Sequence, residues 1–178
     1  MSILKFLKLE SARSSPSSAD TETVRKITNA LDTLDPERAK FIATFAYILS
    51  RAARADLVIT PEETEVMEKI VMEYAELPEE QAILVVQIAK TQNTLFGETE
   101  DFLVTREFNK IATLEQKLAL LHCAFCVSAA DENISTVEDN VVSRIADELK
   151  IEHKDFISVR TRFRDYLAVL KKPAEPKT

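Results

Sequence analysis

Apolar residues recur along most of this chain three and four positions apart, the spacing that turns one face of an α-helix toward a core. Val24, Ile27, Leu31 and Leu34 make the first stripe and predict a helix from about Thr21 to Leu34. Asp35-Pro36, an N-cap followed by a first-turn proline, opens a second helix to about Ala55. Its Phe41, Phe45, Ile48, Leu49 and Ala52 mark it as central. A third helix, Pro61 to Ala75, turns Val66, Met67, Ile70, Val71 and Tyr74 inward and leaves Glu62, Glu65, Glu68 and Glu73 to solvent. Leu77-Pro78-Glu79-Glu80 breaks it and starts a fourth, to about Gln92, whose run Ile83-Leu84-Val85-Val86 predicts burial on more than one side. Further helices are expected over Glu98 to Ala112, from Thr113 to about Ala130, over Thr136 to Leu149, and over His153 to Leu170.

One unit of this pattern occurs twice. Ala55-Asp56-Leu57-Val58-Ile59-Thr60-Pro61-Glu62-Glu63 returns 75 positions later as Ala130-Asp131-Glu132-Asn133-Ile134-Ser135-Thr136-Val137-Glu138. Met67/Val142, Ile70/Ile145 and Tyr74/Leu149 continue in register behind it. Each copy reads as a helix end, a short loop and a helix start. Thr60 and Ser135 are good N-caps, with Glu63 and Glu138 three positions on, where a carboxylate reaches back to the cap's backbone N–H. Thr113 with Gln116 repeats that capping box. Capping does not account for Asp56 and Asp131, which sit at the tail of an apolar helix, where the dipole disfavours negative charge.

An apolar helix ending in Ala-Asp, followed by an Ile-[Ser/Thr]-x-x-Glu helix start, resembles the tellurite-resistance TerB family, an all-helical group related to the N-terminal domain of a DnaJ-like co-chaperone. Asp101-Phe102, Thr105-Arg106-Glu107-Phe108-Asn109, Arg144-Ile145-Ala146, Leu149 and His153-Lys154-Asp155-Phe156-Ile157 extend the likeness, over roughly Phe41 to Arg164. It implies an all-α fold, a place in stress or tellurite-resistance physiology, and an acidic patch suited to metal binding. Family members usually carry glycine after the motif aspartate, where this chain has Leu57 and Glu132. The second loop is therefore expected to turn with Asn133 in a left-handed conformation.

Composition narrows the fold further. A chain of 178 residues with 46% apolar and 30% charged residues is long enough for one domain and ordinary for a soluble one. Its single glycine, Gly97, argues against hairpins and phosphate loops, which need glycine's positive φ. The expectation is an all-α, single-domain bundle of about 7–8 helices with two pseudo-repeated helix-loop-helix units, over residues 20–171. A flexible apolar and basic segment with a Ser-rich linker precedes it over 1–19, and a disordered tail follows over 172–178.

The net charge of −7 is uneven. Residues 1–19 hold three basic against one acidic residue, and residues 150–178 eight against four, so the body between them stands at −13. Such a body discourages nucleic-acid binding and leaves an unidentified protein partner as the expectation. Ile3, Leu4, Phe6, Leu7 and Leu9 with Lys5 and Lys8 allow only weak membrane-surface contact through the N-terminus. No apolar run approaches the roughly 20 residues that span a bilayer, and with two cysteines and no leader pattern the chain is placed in the cytoplasm.

The candidate site is the repeated motif. Were the two copies to approach, Asp56, Glu63, Asp131 and Glu138 would form one acidic cluster, whose repulsion a hard cation such as Ca²⁺ or Mg²⁺ relieves. The alternative is an interaction module in which the glutamates only cap helices and the aspartates only bond loop amides. Cys123-x-x-Cys126 lies inside a helix without a second cysteine pair, which favours packing over zinc or redox chemistry. Neither His122 nor His153 has a glutamate three positions before it, no nucleophile or phosphate motif is present, and neither catalysis nor an organic cofactor is expected.

Overall fold

The computed structural model describes residues 26–27, 29–53, 61–95, 101–130 and 132–170, the stretches 61–63 and 90–95 through their backbone alone. The expected N-terminal segment and linker (1–19), the tail (172–178) and the turn at Gly97 lie outside the described residues. After helical residues 26–27 and 29–32 come α1 (Pro36–Ala53), α2 (Pro61–Ala75), α3 (Glu79–Leu95), α4 (Asp101–Ile111), α5 (Leu114–Ser128), α6 (Thr136–Glu148) and α7 (His153–Thr161). A short 3₁₀ turn, Ala168–Leu170, closes the chain. The all-α bundle read from periodicity is the fold.

At its centre runs α1, with fourteen of eighteen residues buried, so it is covered on nearly every side. It packs on α3, α4, α5 and α6, while α2 packs on α3 and α5. Its sequence allows this because Ala39, Ala43, Ala46 and Ala52 let neighbours approach between the large side chains. Phe41, Phe45 and Phe108 of α4 form one aromatic cluster, with centroids 5.6 to 6.2 Å apart. A second joins Phe125 of α5 to Phe156 and Phe163, at 6.0 and 5.2 Å. Along α2, Met67 and Val71 are buried as expected, but Val66 is 48% exposed. It lies beside the buried stripe, among the solvent-facing glutamates.

Helix ends follow local chemistry. Asp35 Oδ2 accepts from the N–H groups of Glu37 and Arg38 at 3.0 and 3.3 Å. Thr113 and Gln116 close their capping box at 3.2 and 2.9 Å. Among the described residues, Glu76, Glu132 and Lys150 take positive φ (51°, 62° and 57°), the conformation glycine would occupy most easily. At the end of α6, Lys150 N–H bonds Asp147 O and Ile151 N–H bonds Ala146 O, both at 3.0 Å, the paired closure that requires one left-handed residue.

The stretch after α7 corrects the expectation that this helix runs to Leu170. It ends at Thr161, and the chain continues in tight i→i−3 turns. Tertiary bonding overrides propensity here: Ile134 of the second motif takes both backbone bonds of a parallel bridge to Leu167.

Lys150 offers a direct test of the glycine argument. Left-handed lysine costs about 1–2 kcal/mol, and glycine loses about 0.5–1 kcal/mol more chain entropy on folding. Lys150→Gly should therefore stabilise the fold by about 0.5–1 kcal/mol, measured by urea unfolding. Destabilisation would show that the exposed lysine makes a contact worth more than the backbone strain.

Candidate functional site

The second motif loop joins α5 to α6. The N–H of Ala129 closes α5 on Phe125 O at 2.9 Å, and Glu132 N–H bonds Ala129 O at 2.9 Å. The reversal rests on Glu132, at φ 62°, and not on Asn133. That corrects the expectation: the left-handed position is the one directly after the motif aspartate, where family members usually place glycine. Ile134, fully buried, donates to Tyr166 O at 2.7 Å and accepts from Ala168 N–H at 2.9 Å. Ser135 then caps α6 in an extended conformation. Its Oγ accepts from Glu138 N–H at 3.2 Å, and its own N–H donates to Glu138 Oε2 at 2.7 Å. The capping box is thus as expected.

Glu138 does more than a surface cap. It is 7% exposed, and among the described residues no cation pairs with it. A carboxyl group this buried ordinarily has an ion-pair partner or a metal. The first turn of α6 stabilises negative charge through the helix dipole, but that effect amounts to only about 0.3–1 kcal/mol. The neighbouring Asp139 is paired: Arg160 of α7 donates to its two oxygens at 2.8 and 2.6 Å.

Of the other carboxylates in the expected cluster, Asp56 and Asp131 lie outside the described residues. Glu63 is placed only as backbone in the first turn of α2. Among the described residues, no group of three or more His, Cys, Asp or Glu is arranged to hold a metal ion. No helix among them is long and apolar enough to cross a membrane.

The cysteines pack. Cys123 is fully buried with Sγ 3.9 Å from Ile70 O, and burial raises its thiol far above the ordinary value. Cys126 is half-buried beside His122 Nδ1 at 3.4 Å, and burial, with the Glu73 charge, pushes it up to about 11. His122 stacks on Tyr74 with centroids 3.8 Å apart, and burial followed by the Arg162 charge holds it below its usual range. Both thiols should therefore react slowly with a thiol reagent at neutral pH in the native protein, and quickly once it is unfolded. Fast native labelling of Cys123 would mean that the α2–α5 contact opens readily.

A polar constellation that sequence reasoning missed joins α1, α4 and the end of α6. Arg51, near the end of α1, is 7% exposed. Its Nη1 and Nη2 donate to Glu148 Oε2 and Oε1 at 2.6 and 2.9 Å, and its Nε lies 3.0 Å from Asp101 Oδ2. Tyr47 OH donates to Asp101 Oδ1 at 3.0 Å, and the Thr105 hydroxyl lies 2.9 Å from Glu148 Oε2. Asn109 Nδ2 donates to Glu148 O at 2.8 Å. Burial pulls the guanidinium's proton affinity down, but the bonds and charges of Glu148 and Asp101 outweigh it, so Arg51 stays charged. Burial likewise raises Glu148, and the Arg51 pair overcomes this to hold it below the usual carboxylate range. One signal was legible: Asp101, Thr105 and Asn109 are four apart and share one face of α4.

Removing Arg51 leaves two partly buried carboxylates uncompensated. Breaking a buried pair costs about 3–5 kcal/mol; with Asp101 and Glu148 side chains 18% and 21% exposed, Arg51→Ala should cost somewhat less, about 2–4 kcal/mol, at neutral pH. Because Glu148 is depressed in the folded state, its contribution is complete above the unfolded value of about 4.3 and is lost as pH falls through the depressed one. Urea unfolding should show the gap between variant and parent narrowing in acid; a constant gap would mean that Arg51 acts through packing alone.

The family model described as tellurite resistance protein TerB matches residues 41–161. This span runs from Phe41, within α1, to the end of α7 and takes in both motif copies and the Arg51 constellation. No curated protein and no solved structure matches the chain.

Proposed function

The chain belongs to the tellurite resistance protein TerB family, and from that premise we propose that it is a non-enzymatic, cation-responsive helical module serving tellurite-resistance or stress physiology. The observation that carries the reading is Glu138, a nearly buried carboxylate in the repeated motif with no cation paired to it among the described residues. A divalent cation of the Ca²⁺ or Mg²⁺ kind would supply the missing charge, with oxygens from Asp56, Glu63 and Asp131 as its further ligands. The module works in the cytoplasm and answers to a protein partner. Its acidic body turns nucleic acid away, and residues 1–10 add no more than weak contact with a membrane surface. No organic cofactor enters this reading.

A second reading has its own observation. Thr113 and Gln116 close the same capping box with an uncharged amide, so this arrangement at the start of α6 does not of itself require a carboxylate. In that reading the motifs are structural and the protein is an interaction module alone.

Glu138→Gln separates the two, since it keeps the cap and removes the charge. A cation bound only by the folded state stabilises it by about 2.7 kcal/mol at a hundredfold excess over Kd. For a chain of this size that raises Tm by roughly 5–10 °C. Differential scanning calorimetry with Ca²⁺, Mg²⁺ and Mn²⁺ should show the rise in the parent and lose it in Glu138→Gln, Asp56→Asn and Asp131→Asn. A parent melt indifferent to all three ions would leave the interaction module.

A further inference from the structure

The nine residues after α7, Arg162-Phe163-Arg164-Asp165-Tyr166-Leu167-Ala168-Val169-Leu170, contain no glycine or proline, and nothing in their sequence stops a helix. With α7 they continue its apolar stripe: Phe156, Val159, Phe163, Leu167 and Leu170 are spaced three, four, four and three apart, as one face of a single helix requires. Yet they are not wound as that helix. In an α-helix, Ala168 N–H would bond Arg164 O and Tyr166 O would receive Leu170 N–H. Both groups are given instead to Ile134, at 2.9 and 2.7 Å, and Leu170 N–H falls back on Leu167 O at 3.0 Å. Leu170 is left 52% exposed beside Tyr166 and Val169, at 38% and 57%. This is a helix-competent stretch held in i→i−3 turns by a distant contact, and tight turns of this kind often mark hinges.

The seat that holds it is small and specific. Ile134 offers one N–H and one C=O at the edge of the second motif loop, Leu167 fills the space beside it at 1% exposure, and Phe163 stacks on Phe125. Backbone pairing with one apolar side chain in a pocket is how an extended peptide is recognised by strand addition.

We propose that residues 162–170 form a displaceable strap that occupies in cis a peptide-docking seat at Ile134, and that rewinds as a continuation of α7 when a partner's extended apolar segment takes its place. The seat adjoins Ser135 and Glu138, so a partner bound there touches the second motif directly. This inference stands on the bridge and does not depend on cation binding.

The test uses the full chain carrying Leu167→Ser, which removes the anchor, with the milder Leu167→Ala as the variant that keeps the fold if the first does not. The probe is a synthetic peptide with the sequence of residues 162–170. In the variant, exchange of the Ile134 amide should quicken about tenfold while amides in the middle of α1 hold their protection. Cα chemical shifts over 162–170 should move to helical values. The peptide should bind the variant about tenfold more tightly than the parent and restore protection at Ile134. Unchanged Ile134 exchange, non-helical shifts over 162–170, or a peptide that does not distinguish variant from parent would each overturn the proposal.

Discussion

The Arg51 guanidinium enters the bundle on a helix with fourteen of eighteen residues buried, and a charge in that position has to be met. Glu148 meets it with two oxygens from the end of α6, Asp101 from the start of α4, and Tyr47 and Thr105 complete the shell. The consequence is geometric: three helices distant in sequence are fixed in angle and register by one directional group, which apolar packing alone would not do. Asn109 extends the constraint by bonding the Glu148 carbonyl, and Lys117 Nζ reaches Leu149 O at 3.2 Å. The end of α6 is thereby tied to both α4 and α5.

Around that node the chain makes its reversals almost without glycine. Glu76, Glu132 and Lys150 sit in left-handed conformations at the ends of α2, α5 and α6. Each costs about 1–2 kcal/mol and persists only where the surroundings over-determine it. At Lys150 the determinant is the double closure on Ala146 and Asp147, with Ile151 buried behind it. At Glu132 it is the clamped segment that follows: Ile134 is held on both backbone groups and Ser135 is held by Glu138. Residues 132–135 are therefore held in place by bonding where glycine would have made the turn easy by conformation.

The motif has a double use of one residue type. Glu138 caps its own helix with a nearly buried carboxyl group, while Gln116, at the same position of α5, caps with an uncharged amide. Local chemistry explains the cap in both helices, and in α6 the cap is made by an acid that is 7% exposed.

Periodicity, proline, the repeated caps and the scarcity of glycine determined the all-α class, the order of the helices, the starts of α1, α2, α5, α6 and α7, and the central place of α1, because each rests on contacts within a few residues or on one apolar face. The capping box of Ser135 and Glu138 was legible for the same reason, as was the burial of Cys123 in an apolar stretch. Tertiary structure alone decided the Arg51 pairing, whose partners lie 97 and about 50 positions away. It also decided that Glu132 and not Asn133 takes the left-handed turn, and that Val66 faces out. The end of α7 shows why most clearly: residues 162–170 have the composition and stripe of a helix, and two backbone bonds to Ile134 unwind it. Propensity differences of a few tenths of a kcal/mol per residue give way to a buried bridge that satisfies two otherwise orphaned backbone groups.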